Sequence, residues 1–376
     1  MGCGSISMIE DNTKKGNNET FKKKQLIGKG NLGEVYLVKE TKTKKEYALK
    51  EIIIKNPNKE IISKEAENLY DLHHPNVIYF KSAFITKSAN SENFLLNIIS
   101  EFAEKGDMGK ELSEHHQQNI YFLENQILDW LSQNLLALVY LHDKKIIHGD
   151  IKPSNIFLTK NNSIKLGDFG IFKKCLNLDY NNLYLPPEYI EKKEYSYAGD
   201  IWSLGATFCH LITLEFPFEG NNKDEICENI LKGNKNSKFL NEEKNNYNQT
   251  ILDIYSKELL DLIDDMMSLD PIQRPIAEDI LRKDIIKKRM DEYMEENNYD
   301  SKKNNDVYAS IKVYTENYEK KRKKHKESVI VLEDGKTVKN NEMFYYNLTE
   351  EKDNKENYDL MRQMSMNFDQ ECQNNK

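Results

Sequence analysis

The sequence predicts an α+β fold in which strands come before helices. Residues 21–38 have the pattern of strand, turn and strand, and residues 47–52 and 94–99 are apolar, strand-like segments. Residues 125–143, in contrast, carry apolar side chains at helical spacing and predict a long buried helix.

Length and composition allow one large enzyme and exclude several other classes. The 376 residues suffice for one two-lobed enzyme or two ordinary domains, and 38% hydrophobic residues allow a sizeable core. The net charge of −8 argues against general nucleic-acid binding. No apolar run approaches the ~20 residues of a membrane span, and we expect no secretory signal peptide. Five scattered cysteines without a CxxC pair fit a reducing compartment, so we expect a cytoplasmic protein.

Residues 1–20 predict a polar, disordered leader with a candidate lipidation signal. Loss of Met1 would expose Gly2 for myristoylation, and Cys3 could then be palmitoylated. Two acyl chains anchor a protein stably, whereas one binds a membrane only marginally. Because Ile6 stands where the motif has Ser or Thr, a membrane-associated leader and an unmodified one both stay open.

A glycine-rich turn joins the first two strands. Gly28, Gly30 and Gly33 form a GxGxxG pattern, and Val35 follows two residues later. A dinucleotide site would place these glycines at the start of a helix, whereas here a strand follows. Since glycines let the backbone close over phosphate groups, we favour a nucleotide-covering flap over an ordinary hairpin.

A lysine interrupts the next strand. Lys50 lies among apolar residues, where a lysine is costly unless it is paired. Glu65, on the predicted helix 61–72, is the expected partner. Glu67 is the competing choice, although it would lie about 200° away around the helix at roughly 100° per residue.

The strongest chemical signal is a pair of polar segments in the middle of the chain. Asp150, Lys152 and Asn155 come first, and Asp168 then opens an Asp-Phe-Gly tripeptide. Two carboxylates, a lysine and an amide at this spacing can hold a magnesium-nucleotide and orient a hydroxyl group for attack.

Together, these segments resemble the catalytic core of eukaryotic protein kinases, and lysine at position 152 is typical of the Ser/Thr type. The resemblance covers residues 21–288 and implies a bilobal protein kinase fold, with a small β-rich N-lobe and a larger helical C-lobe. Residues 289–376 would be a polar, largely disordered tail. Within the superfamily, segments such as 126–130 and 165–171 look like the NIMA-related branch.

The resemblance implies a role for each polar residue. Asp150 would orient the substrate hydroxyl, Lys152 would stabilise the transferring phosphoryl group, and Asn155 and Asp168 would hold Mg²⁺. The residues implied to bind ATP are Ile27, Gly28, Gly30, Gly33, Val35, Ala48, Lys50, Glu65, Glu101, Ala103 and Phe157. The partner would be a protein substrate, and no nucleic acid is expected.

Two supporting contacts and a hinge also follow from the resemblance. Glu188 should pair with Arg274, and Asp200 should hold the catalytic loop. Residues 100–103 are similar to the hinge, where the backbone would bond adenine. Ser100 is then the gatekeeper, small where a bulky residue is usual, and should open a pocket behind the adenine. A hinge misplaced by one residue stays open, because residues 85–93 could contain an insertion.

The chain departs from the family in the parts that usually control activity. Gly149 replaces an Arg that normally pairs with a phosphate on the activation segment, and residues 171–185 contain neither Ser nor Thr. Asn181 stands where the branch usually has Thr. We therefore expect activity that does not depend on Ser/Thr phosphorylation of this segment, while phosphorylation of Tyr180 or Tyr184 stays open.

These departures support an alternative function, a pseudokinase that acts as an ATP-binding scaffold. The presence of Lys50, Glu65, Asp150, Asn155 and Asp168 opposes it, since a scaffold could have lost any of them. A membrane-tethered adaptor is a third reading and rests only on Gly2 and Cys3. In the tail, the basic run 320–326 could be a nuclear or lipid-binding signal or a solvated stretch, and residues 329–338 predict a hairpin.

Overall fold

A computed structural model of the protein shows a β-rich N-terminal lobe followed by a helical C-terminal lobe, which confirms the predicted α+β architecture. The structure describes residues 21–30, 33–55, 62, 69–87, 93–169, 183–240, 245, 249–296, 329–331 and 337–339.

The N-lobe is one antiparallel five-stranded sheet with the strand order β1-β2-β3-β5-β4. The strands are β1 (Phe21–Gly30), β2 (Gly33–Glu40), β3 (Glu46–Ile54), β4 (Phe80–Lys87) and β5 (Phe94–Glu101). The described residues of the predicted helix 61–72 are helical at Ile62, Leu69 and Tyr70, whereas Glu65 and Glu67 lie outside the described residues.

The C-lobe is built around helices, with a small sheet at the boundary between the lobes. Its helices are α1 (Met108–Gln118), α2 (Glu124–Asp143), α3 (Pro187–Lys192), α4 (Tyr197–Thr213), α5 (Lys223–Lys232), α6 (Lys257–Met266), α7 (Ala277–Ile280) and α8 (Asp284–Glu296). The small sheet contains β6 (Gly106–Asp107), β7 (Ile156–Leu158) and β8 (Ile164–Leu166). Strands β9 (Val329–Val331) and β10 (Thr337–Lys339) pair antiparallel, as the predicted hairpin requires.

Helices α2 and α4 form the centre of the C-lobe core. Helix α2 matches the predicted helix closely, and residues along most of its length are buried. Helix α4 is buried from Ala198 to Thr213, and its Trp202 stacks on Phe218 with ring centroids 5.8 Å apart. A helix that is covered on all sides is a rigid support, and α4 supports the loop that carries the predicted catalytic residues.

Helix α8 extends the folded part of the chain past the predicted domain end at residue 288. Arg289 is 5% exposed and makes two hydrogen bonds to Asp129 of α2, with N–O distances of 2.9 and 3.0 Å. The polar composition of this segment predicted a solvated tail. Arg289 can nevertheless be buried, because both carboxylate oxygens of Asp129 accept its hydrogen bonds. Among the described helices, none combines the length and apolar character that crossing a bilayer requires.

Candidate active site

The sheet register places four of the predicted nucleotide-binding residues on one face of the N-lobe sheet. Val35 is the cross-strand partner of both Gly28 and Lys50, and Ala48 is the partner of Ser100. Directly paired residues of an antiparallel sheet share a face, as do residues two apart on one strand. The side chains of Val35, Ala48, Lys50 and Ser100 therefore point to one side. The contact of Lys50 with the C-lobe shows that this side faces the cleft between the lobes.

The flap approaches its neighbouring strand too closely for any side chain at Gly33. A Cβ atom added there would lie 1.8 Å from the Glu51 carbonyl oxygen, and the φ angle of +152° is one that L-residues rarely adopt. A Cβ at Gly30 would meet no described atom within 4 Å. Gly33 is thus required by packing, whereas Gly30 borders open space where a ligand's phosphates could approach the backbone.

Lys50 reaches across the cleft to Asp168. Its Nζ lies 2.7 Å from Asp168 Oδ2, and both side chains are partly buried. The predicted partner Glu65 lies outside the described residues, so the predicted Lys50–Glu65 pair stays a prediction. Asp168 has a left-handed φ of +57°, an unusual conformation for a non-glycine residue that is typical of functional sites.

Asp200, on the buried helix α4, fixes the backbone of the catalytic loop. Its Oδ2 accepts a hydrogen bond from the backbone N–H of His148, and its Oδ1 accepts one from that of Gly149, each at 2.9 Å. The Nε2 atom of His142 also lies 2.9 Å from Oδ2. Asp200 is fully buried, so its charge is stabilised by these donors. The predicted role of Asp200 is confirmed.

His148 links the catalytic loop to the segment before Asp168. Its Nδ1 accepts a hydrogen bond from the backbone N–H of Asp150, and its Nε2 donates to the Gly167 carbonyl at 3.0 Å. Burial lowers the pKa of His148, which keeps the ring neutral and able to accept and donate at once. Its ring centroid lies 4.9 Å from that of Phe169, so His148 also packs against the Asp-Phe-Gly segment.

The carboxylate of Asp150 is held in one orientation by its neighbours. Asn155 Nδ2 donates to Asp150 Oδ2 at 2.6 Å and to the Asp150 carbonyl at 2.7 Å. Lys152 Nζ lies 3.2 Å from the same Oδ2. Asp150 is 2% exposed, so a preorganised carboxylate lies beside a cation, which is the arrangement needed to align a hydroxyl group and a phosphoryl group.

The two residues predicted to hold Mg²⁺ come together through the backbone. The Gly167 N–H donates to the Asn155 carbonyl at 3.0 Å, which brings Asp168 next to the catalytic loop. Asp168 and Asn155 offer the oxygen atoms that Mg²⁺ prefers, and Asp168 is partly accessible. The described residues contain no cluster of three or more His, Cys, Asp or Glu that could hold a metal ion. Mg²⁺ commonly takes one or two protein carboxylates together with substrate phosphates.

At the predicted hinge, one backbone group of Glu101 and one of Ala103 are already used by hydrogen bonds within the protein. The Glu101 N–H is used by the Tyr79 carbonyl at 2.8 Å, so only the carbonyl of Glu101 could face adenine. The Ala103 carbonyl accepts from the Gly106 N–H at 3.3 Å, while its N–H has no acceptor among the backbone contacts of the described residues. Phe157, on β7, is half-buried and lies against the position where a Cβ of Gly167 would be.

Sequence reasoning missed Lys165, which connects the hinge to both lobes. Its Nζ lies 3.0 Å from Glu101 Oε2 and donates to the Pro75 carbonyl at 2.9 Å. Like Lys50, Lys165 is flanked by apolar residues in a strand, and this pattern indicates a lysine that needs a partner. The hinge side chain is therefore fixed by a contact from β8.

Tyr184, one of two tyrosines considered for phosphorylation, is buried in the C-lobe. Its hydroxyl lies 2.7 Å from Nδ1 of His210, and its carbonyl accepts from Ser203 Oγ at 2.8 Å. Burial raises the pKa of Tyr184 and lowers that of His210 to about 4. A phosphoryl group could be added to Tyr184 only after this contact had broken. Tyr180 lies outside the described residues.

The predicted pair of Glu188 and Arg274 is confirmed. Arg274 donates to both carboxylate oxygens of Glu188, at 2.7 and 2.8 Å. The same guanidinium group donates to three backbone carbonyls and lies 5.0 Å from the Trp202 ring centroid. This buried network ties the end of the activation segment to the helical core.

Comparisons with known proteins agree with this site. The family described as protein kinase domain matches residues 21–286. The chain is 34% identical over 289 residues to serine/threonine-protein kinase Nek1 of Mus musculus, covering 73% of this chain and 22% of that protein. It is 32% identical over 291 residues to Nek4 of Mus musculus, covering 75% and 34%. It is 35% identical over 305 residues to the probable serine/threonine-protein kinase nek3 of Dictyostelium discoideum, covering 75% and 25%. The chain therefore spans about a third or less of the length of these relatives.

Proposed function

This chain belongs to the protein kinase family and is like its NIMA-related members, and from that premise we propose that it is a serine/threonine protein kinase. It would transfer the γ-phosphoryl group of ATP to hydroxyl groups of a protein substrate. The observation that carries the proposal is the catalytic loop, in which Asp150, Lys152 and Asn155 are held together within hydrogen-bond or ion-pair distance.

Each residue of the site has a task that its position supports. Asp150 would accept or orient the proton of the attacking hydroxyl, because its carboxylate is fixed by Asn155. Lys152 would stabilise negative charge on the transferring group. Lys50 would contact the nucleotide phosphates from the N-lobe face that also carries Val35. ATP bound with Mg²⁺ would supply the phosphoryl group and neutralise part of its charge, with Asp168 and Asn155 as the metal's protein ligands.

The proposed activity does not require Ser or Thr phosphorylation of the activation segment. The support is Gly149, which offers no side chain to a phosphate and whose N–H is already held by Asp200. Its φ of +73° lies in the left-handed region, where glycine is favoured. Asp200 therefore positions the loop in the absence of the family's usual arginine.

A transfer assay tests the proposal against the scaffold alternative. Wild-type protein with ATP and Mg²⁺ should phosphorylate a generic acceptor such as casein, and Asp150→Ala should reduce the rate at least 100-fold while leaving the thermal shift with ATP unchanged. Ser154→Ala, which changes an exposed neighbour in the same loop, is the matched control and should retain activity. No transfer by folded wild-type protein that still binds ATP would instead support a pseudokinase.

We also propose that the protein is cytoplasmic and associates with membranes through its leader. The support is the Met-Gly-Cys start, which fits myristoylation of Gly2 and palmitoylation of Cys3. Intact mass after expression in a eukaryotic host should show one or two acyl chains, and the Gly2→Ala variant should show neither. A mass equal to that of the unmodified chain would remove this part of the proposal.

A further inference from the structure

A basic edge of the N-lobe has no part in the proposed chemistry. Strand β1 is the outer strand of the five-stranded sheet, and its first residues pair with the end of β2, next to the β2–β3 turn. We call the seven lysines at this place the lysine edge: Lys22, Lys23, Lys24, Lys39, Lys42, Lys44 and Lys45. All of them are exposed except Lys39, which is half-buried.

Within the described residues, two of these lysines lie within 4.0 Å of a carboxylate oxygen. Lys23 pairs with Glu51 at 2.7 Å, and Lys24 pairs with Glu46. For the other five, the part of the chain that the structure describes offers no carboxylate within 4.0 Å. A protein whose net charge is −8 thus concentrates positive charge at one edge.

The arrangement costs stability unless something negative lies close by. Lys22 and Lys39 are direct cross-strand partners, and like charges placed opposite each other destabilise a sheet. Glu46 of β3, which lies opposite Lys39 on its other side, offsets part of this repulsion. An anionic partner would relieve the charge repulsion, and it would also explain why so many lysines lie on a strand that could carry neutral residues.

An object bound to the lysine edge would leave the active site open. In the β1–β2 hairpin, Gly30 and Gly33 form the flap end, whereas Lys22 and Lys39 lie at the other end. The separation along the strand is roughly 25 Å, from eight residues at about 3.3 Å each. A flat surface could therefore contact the edge without covering the flap.

We propose that the lysine edge docks onto the anionic headgroups of a lipid bilayer. Residues 1–20 lead directly into β1, so an acyl chain on Gly2 or Cys3 would hold the edge close to the bilayer. One acyl chain binds only marginally, whereas a chain combined with a basic patch binds stably. Each lysine near a negatively charged membrane surface adds to the attraction, within a Debye length of it. The choice of lipid over another polyanion rests on the proposed acylation. The expected attraction of the lysine edge to anions does not depend on acylation.

The test uses unacylated full-length protein from bacteria. Binding by the lysine edge is then measured independently of whether the protein is acylated in its own cell. Vesicles of phosphatidylcholine alone are compared with vesicles containing 40% phosphatidylserine at low ionic strength. We expect binding only to the anionic vesicles and its loss at 0.5 M salt. The variant Lys22→Glu, Lys42→Glu, Lys45→Glu should bind at least tenfold more weakly.

A matched variant controls for net charge. The triple variant Lys160→Glu, Lys223→Glu, Lys287→Glu changes the net charge by the same amount at three exposed lysines of the C-lobe. It should bind the vesicles like wild type. Both variants should retain casein phosphorylation, since neither touches the site. Equal weakening by the two variants, or no binding of wild type to anionic vesicles, would overturn the proposal. Tighter binding to duplex DNA than to anionic vesicles, with the same lysine dependence, would also overturn it and assign the edge to nucleic acid.

Discussion

Replacing Asp200 with Asn should separate positioning of the catalytic loop from the chemistry of its residues. The carboxylate accepts backbone N–H groups on both oxygens, one from His148 and one from Gly149. An amide keeps one acceptor and turns the other into a donor, so one of the two N–H groups must face an NH₂ group.

The magnitude follows from that mismatch. Losing one hydrogen bond to a charged group costs about 1.5–3 kcal/mol, and stranding a buried N–H adds about 1–3 kcal/mol. The loop can avoid part of this cost by shifting, and a shift of about 1 Å can lower kcat by 10²-fold. We therefore expect Asp200→Asn to reduce kcat at least 30-fold, with the KM for ATP within threefold of wild type, because the nucleotide residues of the N-lobe are untouched.

Steady-state kinetics on casein would measure this effect, with Thr207→Val as the control. Thr207 is also buried in α4, but its hydroxyl donates to the Ser203 carbonyl within the helix, so its loss should cost about 1 kcal/mol of stability and leave kcat unchanged. A kcat for Asp200→Asn within threefold of wild type would show that the carboxylate does not hold the loop. A fall in kcat for both variants would show general destabilisation.

Three further predictions follow from described contacts. Arg274→Met should lower the free energy of unfolding by about 3–5 kcal/mol in urea titrations, because it leaves the carboxylate of Glu188 without its buried partner, and a loss below 1 kcal/mol would contradict this. Ser100→Met should weaken inhibition by ATP-competitive compounds with a bulky group behind the adenine at least tenfold while KM for ATP stays within threefold, and equal inhibition of both proteins would show that position 100 does not gate that pocket. Burial lowers the pKa of His74 and of His210 to about 4, whereas an unfolded histidine titrates near 6.5. The unfolded chain then binds more protons between these values, so stability should fall as pH drops from about 6.5 to about 4, by roughly 1.4 kcal/mol per pH unit for each histidine. His210→Gln should reduce the slope by roughly 1.4 kcal/mol per pH unit, and an unchanged slope would assign it to other groups.

Local motifs predicted the parts of the fold that depend on spacing along the chain. The helix at 125–143 was visible from its apolar period, and the contacts of Asp200 and of Glu188 with Arg274 followed from the resemblance. In each case the burial pattern or the order of motifs is itself written in the sequence.

Contacts across elements were harder to predict, since they depend on tertiary packing. The pairing of Lys165 with Glu101 joins β8 to the hinge, and that of Arg289 with Asp129 joins α8 to α2. In both cases the two partners are far apart along the chain, so only the packed structure shows which residues meet. The burial of Tyr184 against His210 was missed for the same reason.

Gly149 has a consequence for how such an enzyme could be controlled. A residue with a side chain would be strained by about 1–2 kcal/mol at this left-handed φ, and glycine removes that cost from the observed loop shape. If the activity is independent of Ser/Thr phosphorylation, as proposed above, no inactive population waits for that modification. The amount of phosphorylation in any part of the cell would then follow the local concentration of the protein, and transport or anchoring would take the place of an on–off switch.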